Sequence, residues 1–242
     1  VLQDTIWMSI HVPIIMVSYS VLALAVLIAH VQIVVLAAMP RRQALADSIA
    51  AFHHGYLQVG SLLLFVGIVT GSMWAASSWG RYWGWDPKEV WSLVAFLGYI
   101  GILHVRANQA PTPRWLVAAG IVLCHAVFLL LLRTMAPLTL LSGLVFAAAG
   151  AAVVLFVAAR GPFASAAKSI LAFWLVIMTY VGVNYVLGTG LHSYGFGTGA
   201  VAWYVFLIGG IDFAFVLLCL AVRWLRCPIP AAAGTYVQPP AN

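Results

Sequence analysis

The segment from residue 79 to residue 91 concentrates side chains that can hold a flat ligand. Five of its thirteen residues are tryptophan or tyrosine, and they alternate with glycines and charged residues. Indole rings offer stacking surface, and glycines let a backbone approach a ligand closely. An aromatic belt at a membrane interface is the simpler alternative, because tryptophan and tyrosine also gather there. We interpret the segment as a binding platform whose candidate residues are Trp79, Tyr82, Trp83, Trp85, Asp86 and Trp91, with the cations Arg81 and Lys88.

The composition of the whole chain places that platform in a membrane protein. Hydrophobic residues make up 64% of the 242 residues and charged residues only 7%, whereas a soluble domain typically carries about 25% charged residues. Most of the protein surface must therefore face lipid. A membrane β-barrel would need short alternating segments, but this sequence has long unbroken apolar runs. We predict an all-α polytopic membrane protein.

Apolar runs separated by polar breaks predict about seven transmembrane helices, since about 20 apolar residues cross a bilayer. They form one transmembrane domain over residues 1–226, which contains a tryptophan-rich, outward-facing loop at 78–89. Residues 227–242 are rich in proline and alanine and are predicted to form a flexible cytoplasmic tail. The predicted spans are 7–38, 49–77, 90–105, 115–132, 138–159, 170–187 and 201–224.

The positions of lysine and arginine predict the orientation, because these residues favour cytoplasmic connections. Eight of the eleven cations fall on one side of the predicted spans and three on the other. The side with eight is therefore predicted to be cytoplasmic. His11, His192 and the tryptophan-rich loop then all lie at the outer face. The eight cations are Arg41, Arg42, Arg106, Arg114, Arg160, Lys168, Arg223 and Arg226, and the three are Arg81, Lys88 and Arg133.

Several functions are disfavoured by what the sequence does not contain. Cys124, Cys219 and Cys227 form no CxxC pair, so neither a disulfide framework nor a thiol redox centre is indicated. No CxxCH motif is present, so the chain is not itself a covalent c-type cytochrome. Its cations are scattered between apolar runs and give no basic stripe for nucleic acid.

Two ionisable residues lie within predicted spans, where a charge needs a partner or a proton. Asp212 is near the middle of the last span, and His125 is within the fourth. A packed polar contact is the simpler interpretation of Asp212. A proton route is the alternative, and the sequence leaves both open.

Four separated motifs resemble the tryptophan-rich WWD family of haem-handling cytochrome c biogenesis proteins, and in particular its CcsA/ResC branch. The most specific is Trp-Asp-Pro-Lys-Glu-x-Trp-Ser at residues 85–92. The other three lie at residues 8–19, 102–106 and 182–195, in the same order as in the family. Residues 107–168 carry two apolar spans that do not match the family pattern.

This resemblance implies haem b as the bound or transferred cofactor and assigns its iron ligands. In the family, one histidine before the tryptophan-rich loop and one after it are the external axial ligands, and these roles fall on His11 and His192. His104 matches a histidine associated with a haem site inside the membrane. The simpler interpretation is an interfacial histidine for His11 and an ordinary loop residue for His192. The histidines that could supply a second ligand beside His104 are His30, His53 and His54.

The function implied by the resemblance is that of a subunit of a haem exporter and cytochrome c haem lyase. Such a protein lies in a bacterial-type inner or plasma membrane, or in a thylakoid, and presents haem to the CxxCH of apocytochrome c. It contributes proximity and orientation, without a catalytic residue of its own. The implied partners are a CcsB/ResB-type membrane subunit, apocytochrome c and a thiol reductant.

Three alternatives stay open at this point. A haem chaperone like CcmC would pass haem to a carrier without forming a thioether, although CcmC-type loops lack the Asp-Pro-Lys-Glu continuation. A bis-His haem subunit of a respiratory complex would cycle electrons without transferring haem. A scaffold that has lost haem would have an empty site in the isolated protein.

Overall fold

The computed structural model describes residues 5–104, 161–187 and 200–226, with short pieces between residues 115 and 159. Every regular element in this part of the chain is helical. A π-helical segment continues directly from the fourth helix. The elements are α1 (Ile6–Ala38), α2 (Gln43–Trp79), α3 (Pro87–His104), α4 (Pro162–Ile177), the π-helical segment (Met178–Leu187) and α5 (Ala200–Arg226).

Among the described residues, four helices are long and apolar enough to cross a membrane, which confirms the prediction of a helical membrane protein. The count of seven spans stays a prediction, because the spans predicted at 115–132 and 138–159 lie almost wholly outside the described residues. The predicted tail at 227–242 lies outside them as well. The four apolar helices are Ile6–Ala38, Gln43–Trp79, Pro162–Val181 and Trp203–Arg226.

α1 and α2 form an antiparallel pair whose close approach depends on small residues of α2. Three glycines of α2 lie against α1 side chains so tightly that an added Cβ would overlap them. Small residues at such positions let helix backbones approach one another within a membrane. The contacts are Gly60 with Leu22, Gly67 with Ile15, and Gly71 with His11.

The connection between α2 and α3 runs over residues 80–86 and is shorter than the loop predicted at 78–89. Gly80 ends α2 in the left-handed region, with φ of 71°, a conformation that glycine adopts without a Cβ clash. Asp86 precedes Pro87, the first residue of α3, and proline favours that first helical position. The turn that carries the aromatic residues is therefore bounded by two strong helix-end signals.

α4 begins at Pro162, eight residues before the span predicted to start at residue 170. Lys168, which the sequence placed in a polar connection, is a buried residue of this helix. Its Nζ donates to the carbonyl oxygen of Ala159 at 2.8 Å. A long lysine side chain can extend along a helix to a polar group near its end, and this explains why a cation lies inside an apolar helix.

The end of α1 is tied to the end of α5 by two arginines. Arg223 donates to the carbonyl oxygen of Leu36 at 3.3 Å, and Arg226 donates to that of Ala38 at 2.8 Å. The last carbonyls of a helix lack partners within the helix, and cations stabilise that end. These contacts bring Arg223 and Arg226 close to the Arg41–Arg42 turn, at the end of the bundle predicted to be cytoplasmic.

Candidate functional site

A cavity of about 330 Å³ lies at the opposite end of the bundle, where α1, α2, the aromatic turn, α3 and the π-helical segment meet. Ligand pockets in proteins typically measure about 300–1,000 Å³. Most of the lining side chains are aliphatic or aromatic. Four of the predicted site residues line it together: His11, Tyr82, Trp83 and Lys88.

His11 is held in a defined tautomer by a contact with α2. Its Nδ1 lies 2.8 Å from the carbonyl oxygen of Gly67. A carbonyl oxygen only accepts, so Nδ1 must carry the proton, and in the neutral ring Nε2 carries the lone pair. Metal-binding histidines commonly have this arrangement, with one nitrogen donating to a carbonyl and the other ligating.

Gly71 provides the space for the His11 ring. A Cβ at position 71 would lie 2.7 Å from Cε1 of His11 and 3.0 Å from its Nδ1. Real Cβ atoms do not approach a ring atom as closely as 2.7 Å, so a larger residue at position 71 would force the imidazole to shift. The position of the ring is therefore set jointly by a hydrogen bond and by the absence of a side chain.

Trp74 also contributes to the site, although it is not among the site residues predicted from the sequence. It is 4% exposed, its ring is parallel to that of His11 within 4° at a centroid distance of 6.5 Å, and its centroid is 4.9 Å from that of Trp79. Gly67, Gly71 and Trp74 recur at helical spacing along one face of α2. That spacing is the signal that would have indicated Trp74.

The remaining aromatic residues of the turn are more exposed. The rings of Trp83 and Trp85 meet edge to face with centroids 5.9 Å apart. Trp85 is 72% exposed and has φ of 58°, a left-handed conformation that bulky residues rarely adopt. Such strained residues concentrate at functional sites. Trp91 lies on α3 and is half-buried.

The acidic residues of the turn form a capping box at the start of α3. Asp86 is buried, and its Oδ1 accepts from the Lys88 backbone N–H at 3.0 Å. Oε2 of Glu89 accepts from the backbone N–H groups of Asp86, at 3.1 Å, and Gly84, at 2.8 Å. This reciprocal pattern satisfies donors that the helix leaves unpaired. The Asp-Pro-Lys-Glu sequence therefore has a structural role, and binding by Asp86 stays a prediction.

The two cations of the turn occupy different environments. Nζ of Lys88 lies 5.4 Å from the centroid of the Tyr180 ring, beside the cavity. Burial lowers the pKa of the Lys88 ammonium, and the neighbouring Asp86 carboxylate opposes that shift. The exposed Arg81 has its guanidinium packed against Gly84, where an added Cβ would lie 2.7 Å from one terminal nitrogen. Lys88 is thus the cation that lies beside the cavity.

The π-helical segment brings two further residues to the cavity, Thr179 and Tyr180. Neither is among the site residues predicted from the sequence, although both lie just before the motif at 182–195. Each turn of a π-helix contains more residues than a turn of an α-helix, and such segments recur at functional sites. Without the structure, nothing distinguished this stretch from the end of an ordinary apolar span.

The other histidines are distributed through the rest of the bundle. His104 is exposed at the end of α3, far from the aromatic turn, with its Nδ1 donating to the Ile100 carbonyl oxygen at 2.7 Å. Nε2 of His30 lies 3.5 Å from Oδ1 of Asp212, and the second ligand predicted beside His104 stays a prediction. His192 and His125 lie outside the described residues, so the predicted second external ligand stays a prediction.

Comparison with known proteins identifies relatives over part of the chain. A Guillardia theta protein named cytochrome c biogenesis protein CcsA is 30% identical over 149 residues, which cover 51% of this chain and 50% of that protein. A Picosynechococcus protein of the same name is 30% identical over 159 residues, covering 64% of this chain and 31% of that protein. The chain thus spans half or less of the length of these relatives. The similarity confirms the resemblance to CcsA-type proteins that the four motifs indicated.

A family model also matches more than half of the chain. The model described as cytochrome C assembly protein matches residues 1–144, which include α1, α2, α3 and the whole aromatic turn. This range also includes residues 107–144, which the motifs alone left unaligned. Because the match covers more than half of the sequence, the chain belongs to the cytochrome c assembly protein family.

Proposed function

We propose that this protein serves cytochrome c biogenesis by holding haem in the cavity beside the aromatic turn and presenting it to an apocytochrome c. The observation that carries the proposal is the geometry of His11. Its Nδ1 is fixed to the Gly67 carbonyl oxygen at 2.8 Å, and its ring lines an aromatic cavity. Family membership and relatives named as cytochrome c biogenesis proteins support the same function.

The residues at the cavity fit the chemistry of haem. A flat porphyrin needs apolar and aromatic surface, which Trp74, Trp83 and Tyr82 offer. An axial imidazole needs an unprotonated nitrogen, which the tautomer of His11 supplies. Acidic propionates need a cation at the edge of an apolar site, and Lys88 is that cation. In this proposal, His192 is the second axial ligand.

The role of the protein in the reaction is to position the reactants. When bound, haem supplies two vinyl groups, each of which forms a thioether with one cysteine thiol of CxxCH. The hydrogen bond to Gly67 fixes the orientation of the His11 ring that would hold the haem iron, and the aromatic side chains that line the cavity would supply apolar surface against the porphyrin. Restricting the relative motion of two reactants in this way is a large source of rate enhancement.

The partners follow from the family resemblance. We propose that the chain acts with a membrane subunit of the CcsB/ResB type, while a separate thiol reductant keeps the apocytochrome cysteines reduced. We also propose that the aromatic turn lies on the outer side of the membrane. The excess of cations at the opposite end of the bundle supports this orientation.

Visible spectroscopy of the purified protein tests the proposal. The protein is isolated with any co-purifying partner, supplied with haem and compared with His11→Ala. We expect sharp α and β bands in the reduced wild type and their loss or shift in the variant. Gln43→Ala is the control, because Gln43 is an exposed polar residue at the start of α2, at the other end of the helix from Gly71. A wild type without bands, or an unchanged spectrum in His11→Ala, would contradict the proposal.

A further inference from the structure

A polar contact between side chains of three helices lies farther along the bundle, away from the cavity. His30 of α1 and Asp212 of α5 approach each other, with Nε2 and Oδ1 3.5 Å apart. Trp174 of α4 donates from Nε1 to Oδ2 of Asp212 at 3.1 Å. His30 is about 28 Å along the α1 axis from His11, at 1.5 Å per residue. The contact is therefore separate from the cavity at the aromatic turn.

The hydrogen bonds around His30 fix where its protons lie. Nδ1 is 2.8 Å from the carbonyl oxygen of Val26, and since a carbonyl only accepts, Nδ1 carries a proton. Nε2 then faces a carboxylate oxygen of Asp212. If His30 were neutral and Asp212 ionised, two lone pairs would oppose each other. One additional proton, on either Nε2 or Oδ1, makes the contact attractive.

The surroundings make that proton important. The His30 ring stacks on Phe215 at a centroid distance of 5.3 Å, and the contact adjoins a core containing Ala29, Ile33 and Val216. An ionised carboxylate is costly in such a setting unless it is paired or protonated. A proton shared with His30 relieves this cost, while the Trp174 N–H satisfies the second oxygen.

Other ionisable groups on the three helices have different contacts. Lys168 of α4 donates to the Ala159 carbonyl oxygen, and Arg223 of α5 donates to that of Leu36 and lies over the Phe163 ring. Cys219 of α5 is a buried free thiol. Among the described residues, the basic side chain within ion-pair distance of Asp212 is that of His30.

We infer that His30 and Asp212 form an intramembrane binding site for a single proton, and that this proton holds α5 against α1 and α4. The inference rests on contacts away from the cavity and does not depend on the proposed haem function. When the proton leaves for solvent, Nε2 and the carboxylate repel each other and α5 loosens. The site thus makes the packing of the last helix sensitive to pH.

The substitution Asp212→Asn tests this inference, because asparagine reproduces the protonated state. Its amide oxygen can accept from Trp174, and its NH₂ group can donate to Nε2 of His30. Thermal unfolding is followed in detergent over a range from mildly acidic to alkaline pH. We expect the wild type to lose stability as the pH rises, by up to about tenfold in the folding equilibrium per pH unit for one proton. In Asp212→Asn this component should disappear.

Asp47→Asn is the matched control, because Asp47 is an exposed carboxylate of α2 bonded to Gln43 at 3.0 Å. It should keep the pH dependence of the wild type. Parallel loss of stability in the wild type and Asp212→Asn across the whole range would overturn the inference. Failure of Asp212→Asn to fold at any pH would also overturn it, because the amide supplies the hydrogen bond attributed to the proton.

Discussion

His11 and His30 are two histidines of one helix, and they are anchored in the same way at one nitrogen. In each, Nδ1 donates to a backbone carbonyl oxygen at 2.8 Å. The carbonyl belongs to α2 for His11 and to the preceding turn of α1 for His30. The surroundings of the two rings differ. The His11 ring lines an aromatic cavity, whereas Nε2 of His30 faces the carboxylate of Asp212.

The difference shows that neighbouring helices determine what an imidazole does. At His11, α2 contributes glycine at position 71 and leaves room for the ring and for a ligand. At His30, α5 contributes an acid, and the ring becomes part of a contact between helices. A ring that lines a cavity suits ligand binding, whereas an Nε2 that faces a carboxylate requires a proton.

Substitution of each histidine by alanine should give the largest effects. The His11 variant should lose haem affinity, and the His30 variant should lose stability. His11→Ala removes the proposed axial ligand, so haem affinity should fall by more than about tenfold, which is about 1.4 kcal/mol. His30→Ala should leave haem affinity unchanged and lower the free energy of unfolding by about 1–3 kcal/mol, since a partly buried carboxylate loses its partner. Haem titration and thermal unfolding of both variants measure the two effects. A loss of haem affinity in His30→Ala would show that the two regions are coupled.

Glycine-to-alanine substitutions on α2 distinguish the effect of the position of the His11 ring from the effect of helix packing. Gly71→Ala forces the His11 ring to move, and overpacking of this kind costs about 1–3 kcal/mol. We expect weaker haem binding together with some loss of stability. Gly60→Ala overlaps Leu22 just as closely, with a Cβ 2.6 Å from its Cδ2, and should cost stability alone. Equal haem affinities in the two variants would argue against a role for Gly71 in orienting His11.

Removal of the capping box should have a smaller effect. Glu89→Ala leaves the backbone N–H groups of Gly84 and Asp86 without their acceptor, and loss of a cap costs about 0.5–2 kcal/mol. The melting temperature should fall, and haem binding should weaken because the aromatic turn is less ordered. Glu89→Gln keeps an acceptor and should restore most of the stability. If Glu89→Gln were as damaging as alanine, the charge rather than the cap would be the important feature.

The pH dependence of haem binding should show the smallest effect. Because the pKa of Lys88 is lowered by burial, its ammonium loses charge at a lower pH than a free lysine, whose pKa is about 10.4. Its attraction for propionates should fade as the pH rises through that lowered value, with a few-fold loss of affinity. Arginine keeps its charge throughout, so Lys88→Arg should hold its affinity at alkaline pH. Affinity that falls equally in both proteins would exclude Lys88 as the titrating group.

Several features of the fold and the site were predictable because they depend on local sequence. Long apolar runs predicted α1, α2 and α5 within a few residues, since burial in lipid needs only length and apolarity. The tryptophan-rich motif located one wall of the cavity. Asp-Pro-Lys-Glu contained a recognisable capping box, although it was interpreted as part of a binding surface. The sequence does not predict the early start of α4, because Lys168 makes an apolar helix resemble a connection.

The sequence by itself therefore determined that the chain is a helical membrane protein with an aromatic turn and that it resembles CcsA-type cytochrome c biogenesis proteins. Only the tertiary structure decided which groups meet. The Nδ1 of His11 bonds to a carbonyl 56 residues away, and Trp174 bonds to a carboxylate 38 residues away. Periodicity shows which face of a helix is buried, but it does not show which helix packs there. The partner, and with it the chemistry of each histidine, is fixed by the packing of the helices.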